Sequence, residues 1–325
     1  MINQNRNDSI DCLKGICAIL VVLLHVPSTF QEYYMPLTRC AVPVFFIISG
    51  FFLYGNDTKQ KAKRAIGKIG YILLWGSILY VLVSFIMNHC VISSIVPSYH
   101  DLFNFVFFNE NPWAPHLWYL SAYIYVLFLI LIIDKINLWE LAFACIPFLL
   151  LVDLCFGKYS IVCWGREFNW LYIRNFLFVG LPYVLIGALV RKYERTANKI
   201  SGFLTLGGVI LFSLTSFVER EILIYYGMNA VREHYLSTTF LALSMFLTFL
   251  NFKSCNISTL SEIGRKDSLY IYVYHIMVAS FMGIAIKHSH IPLLIQAYNI
   301  FAPIFVLAAT IIFVRILSRF IVLRK

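Results

Sequence analysis

The sequence predicts an all-α integral membrane protein, a polytopic bundle of about ten transmembrane helices with both termini in the cytoplasm. Three observations predict it. Hydrophobic residues make up 60% of the 325 residues and charged residues only 13%, with a mean hydropathy of +0.78, which is more apolar surface than a water-soluble core absorbs. Apolar stretches of helix length recur along the chain, approximately over 10–30, 41–55, 66–88, 117–133, 138–156, 172–190, 200–218, 235–252, 268–286 and 291–314. With the N-terminus inside, only seven of the 26 Lys and Arg (Arg39, Lys158, Arg166, Arg174, Arg220, Arg232 and Lys287) fall outside and 19 fall inside, as the positive-inside rule requires. The net charge of +10 then needs no nucleic acid to explain it, and membrane lipids with anionic headgroups and an anionic cytosolic ligand are the expected partners.

The first stretch holds the most informative residues. Lys14 and His25 stand eleven positions apart, so at about 100° and 1.5 Å per residue they share one helix face, roughly 16 Å apart along the axis, and Asp11 joins them there. Ionisable groups facing one way in a membrane-length segment are costly unless they line a cavity, which points to an intramembrane reaction or transport path. The plainer reading keeps Asp11 and Lys14 at the cytoplasmic interface and lets His25 hydrogen-bond a neighbouring helix. The polar start and the absence of a small-residue cleavage site mark this stretch as a retained span, not a removed signal peptide.

The second stretch, Val42-Pro43-Val44-Phe45-Phe46-Ile47-Ile48-Ser49-Gly50-Phe51-Phe52-Leu53-Tyr54, is apolar except for one Ser-Gly step. Gly50 would let another backbone or a thin ligand come close, and Ser49 offers a hydroxyl there, although small residues in membrane helices usually serve packing. In the inner connection that follows, Lys59, Lys61, Lys63, Arg64 and Lys68 supply enough positive charge for a polyphosphate, or serve only as the topology signal. The outer segments 89–116 and 157–174 flank the next spans and, with Trp118 just beyond the first, collect Trp113, His116, Trp164, Arg166, Glu167, Trp170 and Arg174. Aromatic faces beside polar groups suit sugars, and they equally suit an interfacial belt.

Glu219, Arg220, Glu221, Arg232, Glu233 and His234 read as a solvated outer connection. His275, at the start of the ninth stretch, is expected near the cytoplasmic side, for cofactor contact or helix packing. The eight cysteines show no CxxC or Cys/His spacing, so no metal site is expected, and Cys155 and Cys163, both placed outside, are expected to be free thiols. Without an internal repeat, a low-complexity tract or an appended soluble domain, residues 1–325 read as one integral-membrane domain.

In order along the chain, four elements resemble the acyltransferase 3 family of bacterial integral-membrane acyltransferases. The family's basic residue, ten residues and a histidine match Lys14 to His25. Its Phe-Phe-x-x-Ser-Gly-Phe element matches Phe45, Phe46, Ser49, Gly50 and Phe51, and its His-Leu-Trp element matches His116, Leu117 and Trp118. The late Ser-Leu-x-Ile-Tyr-x-x-x-His element resembles Ser268, Leu269, Ile271, Tyr272 and His275. The likeness covers essentially the whole chain and is greatest to the compact members, of the enterobacterial common antigen O-acetyltransferase type. One departure is Lys14, where the family usually carries Arg, which alone offers a two-pronged fork.

The resemblance implies a multi-pass enzyme of the bacterial cytoplasmic membrane that moves an acyl group, most often acetyl, from cytosolic acyl-CoA to a hydroxyl of a cell-surface glycan or its lipid-linked precursor. Acyl-CoA is a co-substrate, and no permanently bound cofactor is expected. Under this reading His25, with Lys14 and Asp11, does the chemistry, His25 as base or as transient acyl carrier. Lys61, Lys63, Arg64, Lys68, Ser49, Gly50 and His275 hold the donor. His116, Trp118, Tyr119, Trp113, Trp164 and Arg166 hold the acceptor. The rival from another class is a transporter or flippase of a lipid-linked saccharide or small solute, for which paired broken helices in two related halves would be the mark.

Overall fold

The computed structural model describes residues 8–88, 91–92, 95–228, 234–252 and 257–320, so Cys90, Arg232 and Glu233 lie outside the described residues. Among the described residues the fold is entirely helical, with no strand. Among the described residues, seven helices are long and apolar enough to cross a membrane: Gln31–Leu53, Thr58–Met87, Pro115–Lys135, Trp139–Phe156, Gly202–Tyr225, Ser258–His288 and Pro292–Arg319. They correspond to seven of the ten expected stretches.

The other three stretches are helical for different physical reasons. The first forms α1 (Asp8–His25), which carries Asp8, Asp11 and Lys14 and owes its place to buried contacts at Ile10, Cys12, Leu13, Cys17, Ala18, Val21 and Val22. Residues 172–190 become a π turn, Phe176–Gly180, that runs into Leu181–Lys192, and Leu181 to Ala188 are all buried in protein. The eighth forms Leu236–Asn251, whose 16 residues reach about 24 Å at 1.5 Å each, short of the roughly 30 Å hydrocarbon layer. A helix covered by protein need not be as long or as apolar as one facing lipid.

The chain divides into two compact units. One takes Met1–Val44, Asn198–Ile222 and Ser237–Lys325, and the other Phe45–Ala197 and Leu223–Leu236. In the first unit α1 packs on three consecutive helical segments: α13 (Ser258–Glu262), a π turn (Ile263–Asp267) and α14 (Ser268–His288). With α15 (Pro292–Phe320) they enclose a core of Ala18, Val22, Val26, Ile263, Ile271, Ala302 and Val306. The crossing depends on two glycines. A Cβ on Gly264 would lie 1.8 Å from the Asp11 carbonyl oxygen and 2.7 Å from the Gly15 nitrogen, and one on Gly15 would lie 2.5 Å from the Leu260 oxygen. Gly264→Ala is therefore expected to force the helices apart and destabilise the protein by about 1–3 kcal/mol or more, read as a lower thermal midpoint in detergent.

The ninth apolar stretch in the sequence begins at Ser268. The structure extends that span back to Ser258, because the π turn carries the polar SEIGRKD run along α1 as helix. His275 is thus 17 residues into its helix, buried beside the ring of His25.

In the second unit α3 (Ala41–Leu53, most of it in this unit) lies against α9 (Leu181–Lys192). A Cβ on Gly50 would meet the Val184 oxygen at 1.9 Å and one on Gly187 the Ile47 oxygen at 2.0 Å. The close approach that Gly50 permits is to another helix. α6 (Trp118–Lys135) packs against α4 (Thr58–Met87), and Phe46, Tyr119 and Tyr123 form an aromatic core beside it.

α4 settles the form of the basic segment. Its 30 residues extend about 45 Å, some 15 Å more than the hydrocarbon layer, so its polar first turns project beyond it. Lys59, Lys61, Lys63, Arg64 and Lys68 lie on these turns, all exposed, and not in a loop. At about 100° per residue, Lys61, Arg64 and Lys68 form one stripe and Lys59 and Lys63 another, on either side of the buried line Thr58, Ala62 and Ile69.

The expected solvated connection at 219–234 is also corrected. Glu219, Arg220 and Glu221 belong to α11 (Gly202–Tyr225), where Arg220 is buried and pairs with Glu221 and, at 3.7 Å, with Glu32, while Glu219 accepts from the Ser237 hydroxyl at 2.8 Å. His234 is buried in the second unit, with Nδ1 2.9 Å from Asp153 Oδ2 and its ring edge-on to Tyr183. Burying Arg220, His234 and Asp153 is tolerable because each finds a partner.

Candidate active site

Pro27 cannot continue a helix, and α1 accordingly stops at His25. The Leu24 carbonyl that this end exposes accepts from Gln31 Nε2 at 2.9 Å. One turn back, the Val21 carbonyl lies 2.9 Å from His25 Nδ1. A carbonyl oxygen only accepts, so Nδ1 carries the hydrogen and the lone pair of the neutral ring is on Nε2.

The His275 ring lies beside it, centroid to centroid 5.2 Å and tilted by 54°. His275 is fully buried, with Nδ1 3.0 Å from the Ile271 carbonyl and 2.9 Å from that of Tyr272, so the same tautomer is fixed there. Eleven residues separate Gly264 from His275 and eleven separate Lys14 from His25. The two helical runs therefore climb together from the crossing at Asp11 and Gly15 to the paired imidazoles.

The lower end of this unit is a cluster of ion pairs. Lys14 Nζ donates to Asp11 Oδ1 at 3.0 Å, with Asp11 nearly buried and Lys14 about a quarter exposed. Arg315 of α15 donates to the buried Asp267 at 3.2 Å, and Lys266 to Glu262 at 2.8 Å. Sequence reading missed Arg315, taking it for one more inner positive charge. The signal available was Asp267, a carboxylate beside an apolar run that had to find a cation.

The second unit holds the aromatic residues expected to meet an acceptor. Asn111 fixes their loop: its Oδ1 accepts from the Trp113 and Ala114 amides at 3.0 Å each, and its Nδ2 donates to Ser77 of α4 at 2.7 Å. Trp113 Nε1 donates to the Ile95 carbonyl. His116, in a 3-10 turn at the head of α6, sits edge-on to Tyr80 at 4.9 Å. The Arg174 guanidinium stacks on Trp170 at 3.9 Å and stands 5.3 Å from Trp118. Beside them, burial raises the Glu110 carboxyl above the ordinary carboxylate value, with the Arg174 charge acting against the shift.

Tyr119 turns into the core against Phe46 at 4.6 Å. Trp164 and Arg166 belong to a different aromatic group, Trp164 on Phe156 and Arg166 on Phe168. Of the donor candidates, the Ser49 hydroxyl donates to the Phe45 carbonyl at 2.8 Å. Cys155 and Cys163 are both free thiols.

A curated amino-acid racemase of Enterococcus faecalis is 26% identical over 325 residues, an alignment that takes in 90% of this chain and 43% of the racemase. The chain thus spans less than half the length of the curated relative it matches. No solved structure matches it significantly. The family model described as an acyltransferase domain matches residues 7–319, nearly the whole chain, a range that includes Lys14, His25, His116 and His275. The protein is a multi-pass membrane protein of the acyltransferase 3 family.

Proposed function

We propose that the protein is an O-acyltransferase of the bacterial cytoplasmic membrane, with ten spans and both termini in the cytoplasm. It moves an acyl group, acetyl foremost, from cytosolic acyl-CoA to a hydroxyl of a cell-surface glycan or its lipid-linked precursor. The observation that carries this reading is His25. Its ring is held by a backbone carbonyl with the lone pair on Nε2, about 16 Å along α1 from the Asp11–Lys14 pair. A nucleophilic or basic nitrogen at depth, with a cation at the inner end of the same helix face, divides a thioester from its phosphates as acyl-CoA does. His116, Trp113, Trp118 and the Arg174–Trp170 stack suit the acceptor's sugar rings.

Purified protein given acetyl-CoA tests the reading. Free CoA should appear in step with added acceptor, whereas a transporter would move solute without releasing CoA. The donor phosphates are assigned to the stripe Lys61, Arg64 and Lys68. Replacing these three by Gln should weaken acyl-CoA binding and flatten its salt dependence, and replacing Lys59 and Lys63 should do so much less. Titrating acyl-CoA at two ionic strengths, after confirming correct insertion, distinguishes a binding stripe from a topology signal, which both sets would disturb alike.

A further inference from the structure

We propose that His275 is the base that takes the acceptor's proton while His25 carries the acyl group; the inference rests on the acyl-transfer reading above. Both rings have Nδ1 committed to a backbone carbonyl, His25 to Val21 at 2.9 Å and His275 to Ile271 and Tyr272 at 3.0 and 2.9 Å. Each neutral ring therefore has one basic nitrogen, Nε2, and the rings stand 5.2 Å apart. An imidazole acylated on Nε2, with its Nδ1–H already donated, has no lone pair left to receive a proton. A hydroxyl attacking that acyl group needs a second base, and the neighbouring His275 supplies one.

The reaction balances as two half-reactions. In the first, the His25 Nε2 lone pair attacks the thioester carbonyl carbon, the C–S bond breaks, and the sulfur leaves with the bonding pair as thiolate. Nδ1–H stays on the ring, which becomes an acyl-imidazolium. In the second, the acceptor oxygen bonds to the acyl carbon as its proton goes to His275 Nε2. The C–N bond then breaks and its electron pair returns to His25 Nε2. The proton on His275 finally neutralises the thiolate through solvent, giving free CoA thiol and the ester.

The test uses the purified full chain, acetyl-CoA labelled in the acetyl group, and acceptor. His275→Asn keeps an amide that can donate to the Ile271 or Tyr272 carbonyl while removing the basic nitrogen. His275→Gln, in which the amide replaces Nε2, is the second variant should Asn fail to fold. Either variant should release about one CoA per protein, retain the label on the protein in a form lost when His25→Ala is added, and make product some 10²–10³ times more slowly than wild type. Wild-type product formation, or loss of the first CoA release in proportion to product, would overturn the assignment to His275. Wild-type protein that releases no CoA with acceptor present would instead overturn the acyl-transfer reading.

Discussion

Replacing His25 by Ala is expected to lower the rate of acyl transfer by about two to four orders of magnitude, the usual consequence of removing a positioned nucleophile or base. The fold should survive. His25 is the last residue of α1 and only half-buried, and Ala is the best helix former at such a position. The ring's hydrogen bond goes to Val21 in its own helix, so its loss leaves no distant group disturbed through that bond. The check is to measure turnover at saturating acyl-CoA and acceptor beside the thermal midpoint in detergent. A variant near wild type in both would remove His25 from the chemistry.

Lys14 should affect binding of the donor and not the chemical step. Lys14→Ala is expected to raise the KM for acyl-CoA about 10- to 100-fold, equivalent to some 1.4–2.7 kcal/mol, which is the range of a hydrogen bond to a charged group. The acceptor KM should stay constant, since Lys14 lies about 16 Å along the helix from His25. Lys14→Arg should restore the value or improve it, because guanidinium keeps the charge and adds a second donor while Asp11, 3.0 Å from the native ammonium, can still pair with it. Removing the cation also disturbs Asp11. The double variant Asp11→Asn, Lys14→Ala therefore separates the two effects: recovery of stability without recovery of donor affinity is the expected pattern. A Lys14→Ala enzyme that changed only its acceptor dependence would place the donor elsewhere.

The parts of the site legible in the sequence were those that lie within one helix. Lys14, Asp11 and His25 were readable because a helical period fixes their face and spacing, whatever else the chain does. His275 was recognised as a residue, but not the length of helix that precedes it. The SEIGRKD run before it is polar enough to read as a loop, and only the Gly264 crossing shows that it continues as helix. The same bias put Lys61, Arg64 and Lys68 in a connection when they ride on the first turns of α4. Pairings across long separations carry no local signal, as with Arg315 and Asp267, 48 residues apart, or Asp153 and His234, 81 apart. His234 looked solvated because a charged residue gives no sign in sequence of the partner that allows it to be buried.

The most direct measurement follows a labelled acetyl group from acetyl-CoA in reconstituted membranes that contain the glycan precursor. An account centred on His25 predicts that the label appears as an alkali-labile ester on the glycan, with one CoA released for each acetyl transferred, and that both signals vanish together in His25→Ala. Release of CoA with no label on the glycan, transport of the saccharide with acetyl-CoA untouched, or ester formation that persists in His25→Ala would contradict it.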